Sequence, residues 1–183
     1  MATEATSTKV ITGKVRFSYL HVFEPQAIGE GEKKYSVSLL IPKEDTLTLG
    51  RIHKAVEAAK EIAKTKFGGK LPPKFKLPMN DGDVDRPDDA AYAGHYHINA
   101  NAKTRPGVVD KDLNPIIDQE EVYSGCYGRA SVTFYPFDTN GNRGIACGLN
   151  NIQKLKDGEH LGGRVAAEVD FAQGFEDDED FLG

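Results

Sequence analysis

Residues 123–137 read Y-S-G-C-Y-G-R-A-S-V-T-F-Y-P-F, the most aromatic stretch of the chain, and they divide between two strand faces. Cys126, Ala130, Val132 and Phe134 fall on one face; Tyr127, Arg129, Ser131, Thr133, Tyr135 and Phe137 fall on the other. A period of two over this length predicts a strand with one side against a core. The polar side sets aromatics beside a cation, an arrangement suited to a flexible polyanion, with Tyr127 and Tyr135 stacking bases and Arg129 holding a phosphate. The plainer alternative is a tyrosine packed under a loop with an arginine covering it.

Working outward, Asp138–Gly144 contains Asn140-Gly141, a strong hairpin signal, with Arg143 at the tip. The return run Gly144–Leu149 is glycine-rich, which permits close approach of another backbone or a base. It continues through Leu155, and Gly162–Phe171 forms a last strand. Upstream, Lys9–Phe23 alternates with Val15, Phe17, Tyr19, His21 and Phe23 on the core side and Lys14, Arg16 and Ser18 opposite. Lys33–Ile41 alternates likewise and Pro42 ends it. Asp45 or Thr46 then caps a helix running to Phe67, with Ile52, Val56, Ala59 and Ala63 on one face and Gly68-Gly69 as the stop. Between Arg51 and Lys76 stand eight basic residues against two acids. Tyr92–Lys103 gives another strand, with Tyr96, Ile98, Ala100 and Ala102 inward. Its outer row of His95, His97, Asn99, Asn101 and Lys103, followed by Arg105, resembles a ligand-facing surface. Pro106–Glu121 is polar and without period, so it is expected as a connection.

The sum is a mainly β chain: an OB-fold-like five-stranded barrel with inserted loops and one helix after the second strand. Residues 1–8 form a flexible leader, 9–172 the folded domain and 173–183 a disordered acidic tail. In that tail Glu176, Asp177, Asp178, Glu179 and Asp180 lie between Phe175 and the pair Phe181-Leu182. The 183-residue chain carries 23 basic and 28 acidic residues, a net −5. With the tail's five acids set aside, 23 of each sign remain. The body is therefore neutral and the acidity belongs to a self-repelling arm. An acidic pI does not exclude a positive groove on a neutral body.

Other chemistries are poorly represented. Phosphate-loop, dinucleotide and nucleophile-elbow motifs are absent, so no enzyme and no cofactor is expected. The run Asp81–Asp85 invites a calcium loop, but Arg86 and Tyr92 stand where glycine and glutamate are needed. His95 and His97 share a face without a third ligand nearby. No metal site is therefore expected. The competing function is a metal-dependent nuclease using Asp81, Asp83 and Asp85. No apolar run is long enough to span a bilayer, the leader has no apolar signal region, and Cys126 and Cys147 read as buried thiols. A cytoplasmic protein is expected. A homo-oligomer is compatible with the sequence.

Several motifs, in order, resemble a known family. They are S-V-S-L-L-I-P-K (36–43), D-G-D (81–83), Y-x-I-N-A (96–100), R-P-G-V-V-D (105–110), the aromatic stretch 123–137, G-L-N-N-I-Q-K (148–154) and D-G-E-x-L-G-G-R (157–164). Over residues 9–172 the chain resembles phage single-stranded-DNA-binding proteins typified by one from an Enterobacter phage. The resemblance implies an OB barrel with insertions and a role in phage DNA replication or recombination. It also implies kinship with gene-2.5-type phage proteins, whose acidic tails end in an aromatic residue and contact replication partners such as DNA polymerase and helicase. Here Phe181 lies two residues short of the end. The nucleic-acid contacts expected from the strand faces are Tyr127, Arg129, Tyr135, Arg143, Lys103, Arg105, Lys14, Arg16, His95 and His97.

Overall fold

A computed structural model describes residues 7–27, 32–139 and 141–161. The expected last strand at 162–171 and the acidic tail lie outside the described residues. Among the described residues there are eight strands: β1 Lys9–Ile11, β2 Val15–Ala27, β3 Lys33–Pro42, β4 Met79–Asp81, β5 His95–Ala102, β6 Gly107–Val109, β7 Tyr127–Thr139 and β8 Asn142–Lys156. The principal helix, α1, spans Thr46–Lys66, and a single turn, α2, spans Gly82–Asp85.

Five strands close on themselves. β2 pairs antiparallel with β3, β3 with β5, β7 with β8 and β7 with β2, while β5 and β8 run parallel through Ala100–Cys147 and Asn101–Gly148. This is the connectivity of an OB-type ring. β1 adds to the free stretch of β7, β4 to β5, and β6 runs parallel beside β8. The segment Gly107–Val109, expected as connection, is thus a short edge strand, too brief for its alternation to register.

The core follows the alternation on β7. Cys126, Ala130, Val132 and Phe134 are buried with Phe17, Leu39, Ile98 and Cys147. Gly128 lets β7 lie against Phe17, because a β-carbon there would come within 2.8 Å of the Phe17 ring. Burial pushes both cysteine thiols above their ordinary range. The Asp45 carboxylate caps α1 by accepting the Thr48 N–H at 3.1 Å, and the helix ends before Gly68 and Gly69, both at positive φ. Ile52, Ala55, Val56, Ala59 and Ala63 turn inward as α1 packs on β1, β7 and β8. Burying Ile52 alone contributes about 1.5–3 kcal/mol.

The N-terminal expectation needs correction. The single strand expected over Lys9–Phe23 is broken at Thr12–Lys14 into β1 and β2. A bulge then follows Ser18, where Tyr19 takes φ 47°. The extra residue reverses the faces: Tyr19 is 53% exposed and Val22 is buried. The strand expected from Tyr92 begins instead at His95, with Ala90–Tyr92 forming a 3-10 turn.

Candidate nucleic-acid interface

Register assigns the outer face of the ring residue by residue, because partners in a ladder share a side. Three of the rows that cross it bear on the site. The first joins Arg16, Leu40, His97 and Asn80; the second joins Ser18, Ser38 and Asn99. Much of these rows is covered: Leu40, His97, Ser18 and Ser38 are buried. The cover is the segment 81–94. Tyr92 stands edge-on to His97, with ring centroids 5.2 Å apart, and its hydroxyl reaches the Ser18 Oγ at 3.4 Å. Arg86 lies between Tyr92 and Tyr19, 4.9 and 5.1 Å from their ring centres, and donates to the Tyr19 hydroxyl at 2.8 Å.

The acids expected in a nuclease are engaged in holding this cover. Lys43 Nζ lies 2.7 Å from Asp81 Oδ1 and 2.8 Å from Asp83 Oδ2. Hydrogen bonds from the Lys43 ammonium hold both carboxyls below the usual carboxylate range, and those carboxylates push the lysine up. Asp85 Oδ2 sits 3.3 Å from His97 Nε2. Among the described residues no group of three or more histidines, cysteines or acids is placed to share a metal ion.

The third row is open and crosses six strands: Lys9 (β1), Thr133 (β7), Gly148 (β8), Asn101 (β5), Ser36 (β3) and His21 (β2). Gly148 is the gap in the row, and Tyr135 uses it. A β-carbon at Gly148 would meet the Tyr135 ring at 3.3 Å, so the ring lies close over the glycine while remaining 45% exposed. Asn150 donates to the Ser131 and Thr133 hydroxyls at 3.4 and 3.0 Å, fixing the polar groups beside it. Lys34 continues this face along β3. Lys103 and Arg105 follow at the end of β5, Lys103 being 4.0 Å from Glu32 and Arg105 lying over Phe23 at 5.5 Å.

The expected site residues therefore divide. Tyr135, Lys103 and Arg105 border the open row. Tyr127 lies at the far end of β7 with Lys14 and Arg16 at 5.7 and 5.3 Å from its ring centre. Arg16 is tied down there: its Nε donates to the Gly125 carbonyl at 3.0 Å and its Nη2 to the Glu159 carbonyl at 2.7 Å. Arg129 donates through Nε and Nη2 to Gln153 Oε1 at 2.9 and 2.6 Å, and Gln153 in turn donates to the carbonyls of Asp110 and Lys111. Arg143 pairs with Asp138 at 3.3 Å and lies over Phe67. His97 keeps the expected outward face but lies in its covered half, and His95 makes a 2.8 Å hydrogen bond to the Ala93 carbonyl. Ser36, Thr133, Gly148 and His21 carry no signal as one row in the sequence, since only the cross-strand register joins them.

An OB-type ring carrying one open polar face with an aromatic on it defines a class of strand-binding architecture. Residues 8–182 match the family described as Enterobacter phage Enc34, ssDNA-binding protein, and the chain belongs to that family. It is 34% identical over 175 residues to putative protein p50 of Acyrthosiphon pisum secondary endosymbiont phage 1, covering 89% of this chain and 92% of the relative. The single-stranded DNA-binding protein of bacteriophage Enc34, solved in complex with ssDNA, superposes with TM-score 0.76 at 29% identity, over 88% of this chain and 97% of that one. The gp2.5 single-stranded DNA-binding protein of bacteriophage T7 shares the fold, with TM-score 0.61 at 16% identity over 93% and 96% of the two chains.

Proposed function

We propose that this chain binds single-stranded DNA along the open half of the ring, tolerant of sequence, during phage DNA replication or recombination in the host cytoplasm. The observation that carries the reading is the six-strand row Lys9–Thr133–Gly148–Asn101–Ser36–His21 with Tyr135 lying over its glycine. Every base has a π face, so stacking on Tyr135 is indifferent to sequence. Amide and hydroxyl groups of the row accept or donate to bases and sugars. Lys9, Lys34, Lys103 and Arg105 hold phosphates, with Lys14 and Tyr127 extending the path. Arg16 and Arg129, tied to carbonyls and to Gln153, position their loops.

The acidic arm competes for the same cations. The twelve residues after Phe171 extend up to about 40 Å, and a tether supplies a roughly millimolar effective concentration. Bound DNA displaces the arm and presents Phe175, Phe181 and Leu182 to a polymerase or helicase.

Fluorescence anisotropy with a labelled oligonucleotide, with and without residues 174–183, tests the reading across a salt series. Binding of the single strand is expected, with log affinity falling against log salt at a slope near −3 for about four phosphates. Truncation is expected to tighten binding, most at low salt. Failure to bind a single strand at low salt would overturn the proposed function; equal affinity of the two chains would remove the competing arm alone.

A further inference from the structure

The open row ends at His21, and beside it lies a cleft of about 410 Å³ at the border with the covered half. Ser18, Tyr19 and His21 line it from β2, Asp89 from the cover, and Ser124 and His160 from the chain flanking β7 and β8. We infer that this cleft receives one unstacked nucleobase of the bound strand and favours a base carrying an exocyclic amino group over thymine. The inference rests on the single-strand reading above and adds a base-selective subsite to it.

Three features support a built cleft. The volume falls within the range of small-molecule sites. Tyr19 is held at φ 47°, an uncommon conformation for a bulky side chain, and such strain concentrates at functional positions. The ring is fixed by Arg86, whose guanidinium lies 5.1 Å from its centre and donates to its hydroxyl at 2.8 Å. A pre-set aromatic at the mouth of a cleft can stack an incoming base with little further loss of freedom. The opposite wall is equally fixed. His160 stacks on Tyr123 with centroids 4.0 Å apart and planes 12° from parallel, while the Tyr123 hydroxyl donates to Asp157 at 2.9 Å.

The preference comes from Asp89. Its Oδ1 accepts the Ala91 N–H at 3.1 Å, and an ionised carboxylate has further acceptor capacity and no donor. Toward the major-groove edge of a base it accepts from the amino group of cytosine or adenine but repels thymine, whose O4 is only an acceptor there. In Asp89→Asn the amide oxygen would still accept from Ala91, while the amide N–H groups turn a donor toward the base.

The test compares binding of (dC) and (dT) oligomers of equal length by the full chain, Asp89→Asn and Tyr19→Gly. Glycine takes φ 47° without strain, so Tyr19→Gly removes the ring and leaves the backbone at ease. Asp89→Asn is expected to bind (dT) at least as tightly as the native chain and to lose about tenfold of the (dC)-over-(dT) ratio. Tyr19→Gly is expected to lose about tenfold in affinity for both oligomers. The same ratio in the native chain and Asp89→Asn, or native affinity in Tyr19→Gly, would overturn the subsite while leaving single-strand binding standing. Failure of the native chain to bind either oligomer would overturn the function, and the subsite with it.

Discussion

Leu40 and Ser36 lie on one face of β3, and His97 and Asn101 on one face of β5, yet each pair is split between two environments. Leu40 and His97 are buried, His97 against Tyr92 of the segment 81–94; Ser36 and Asn101 belong to the open row. The strands do not differ in kind between these positions. What differs is how far the cover reaches, and its reach is fixed by particular contacts: Lys43 to Asp81 and Asp83, Asp85 to His97, and Tyr92 to Ser18. An outward-facing polar row on a strand is thus only a candidate surface until its cover is known.

The largest expected effect lies in the covered half. Tyr92→Ala removes a ring that is 1% exposed and leaves the Ser18 hydroxyl without its partner. Urea unfolding should show a loss of about 3–5 kcal/mol, as for other large aromatic truncations. A loss below about 1 kcal/mol would mean that the cover is not packed as core, and the two halves would no longer be distinct.

Much of the ring was legible in the sequence because β7 alternates from Tyr127 through Tyr135, and α1 keeps its helical period between a capping Asp45 and Gly68. Both are local signals. The bulge at Tyr19 was not legible, since a run of five alternating apolar or aromatic residues looks the same with or without an extra residue in the ladder. Nor was the open row, because its members come from six strands and meet only through pairing. The partners of the cations were not legible either. Arg16 and Arg129 stand on an outward face as expected, but their guanidinium groups are satisfied by carbonyls and an amide far away in sequence. Composition registers a charge and is blind to its partners.

In the open half the pattern reverses. Tyr135→Ala should leave stability almost unchanged, since the ring is half exposed, yet weaken single-strand binding by about 1–3 kcal/mol. The slope of log affinity against log salt should stay the same, because stacking releases no counterions. Replacing Lys103 and Arg105 together by alanine should instead flatten the slope, by about 0.7 for each phosphate no longer neutralised. Equal losses of stability in Tyr135→Ala and Tyr92→Ala would erase the contrast between the halves. A slope altered by Tyr135→Ala would show that the tyrosine acts through charge and not through its face.

The smallest effect concerns how firmly the cover is fastened. Asp81 and Asp83 have carboxyls held below their ordinary range, chiefly by hydrogen bonds from Lys43. A depressed carboxyl stabilises the folded form above its unfolded pKa of about 4, and the contribution is lost as pH falls through the lower folded value. The lysine is shifted upward, so its own share is present at neutral pH and disappears only in strong base. All three groups are a third to a half exposed, so water screens the cluster and global stability should scarcely move. The local readout is sharper. The Gly94 N–H donates to Asp83 Oδ1 at 3.0 Å, so its hydrogen-exchange protection reports whether the cover is fastened. Protection at Gly94 should fall below about pH 4 in the native chain, while the amides of β5 at the open row keep theirs. In Lys43→Met it should be low already at neutral pH. Parallel loss at Gly94 and along β5 would mean that cover and ring open as one unit; separate loss makes the cover a local unit fastened onto a ring that holds without it.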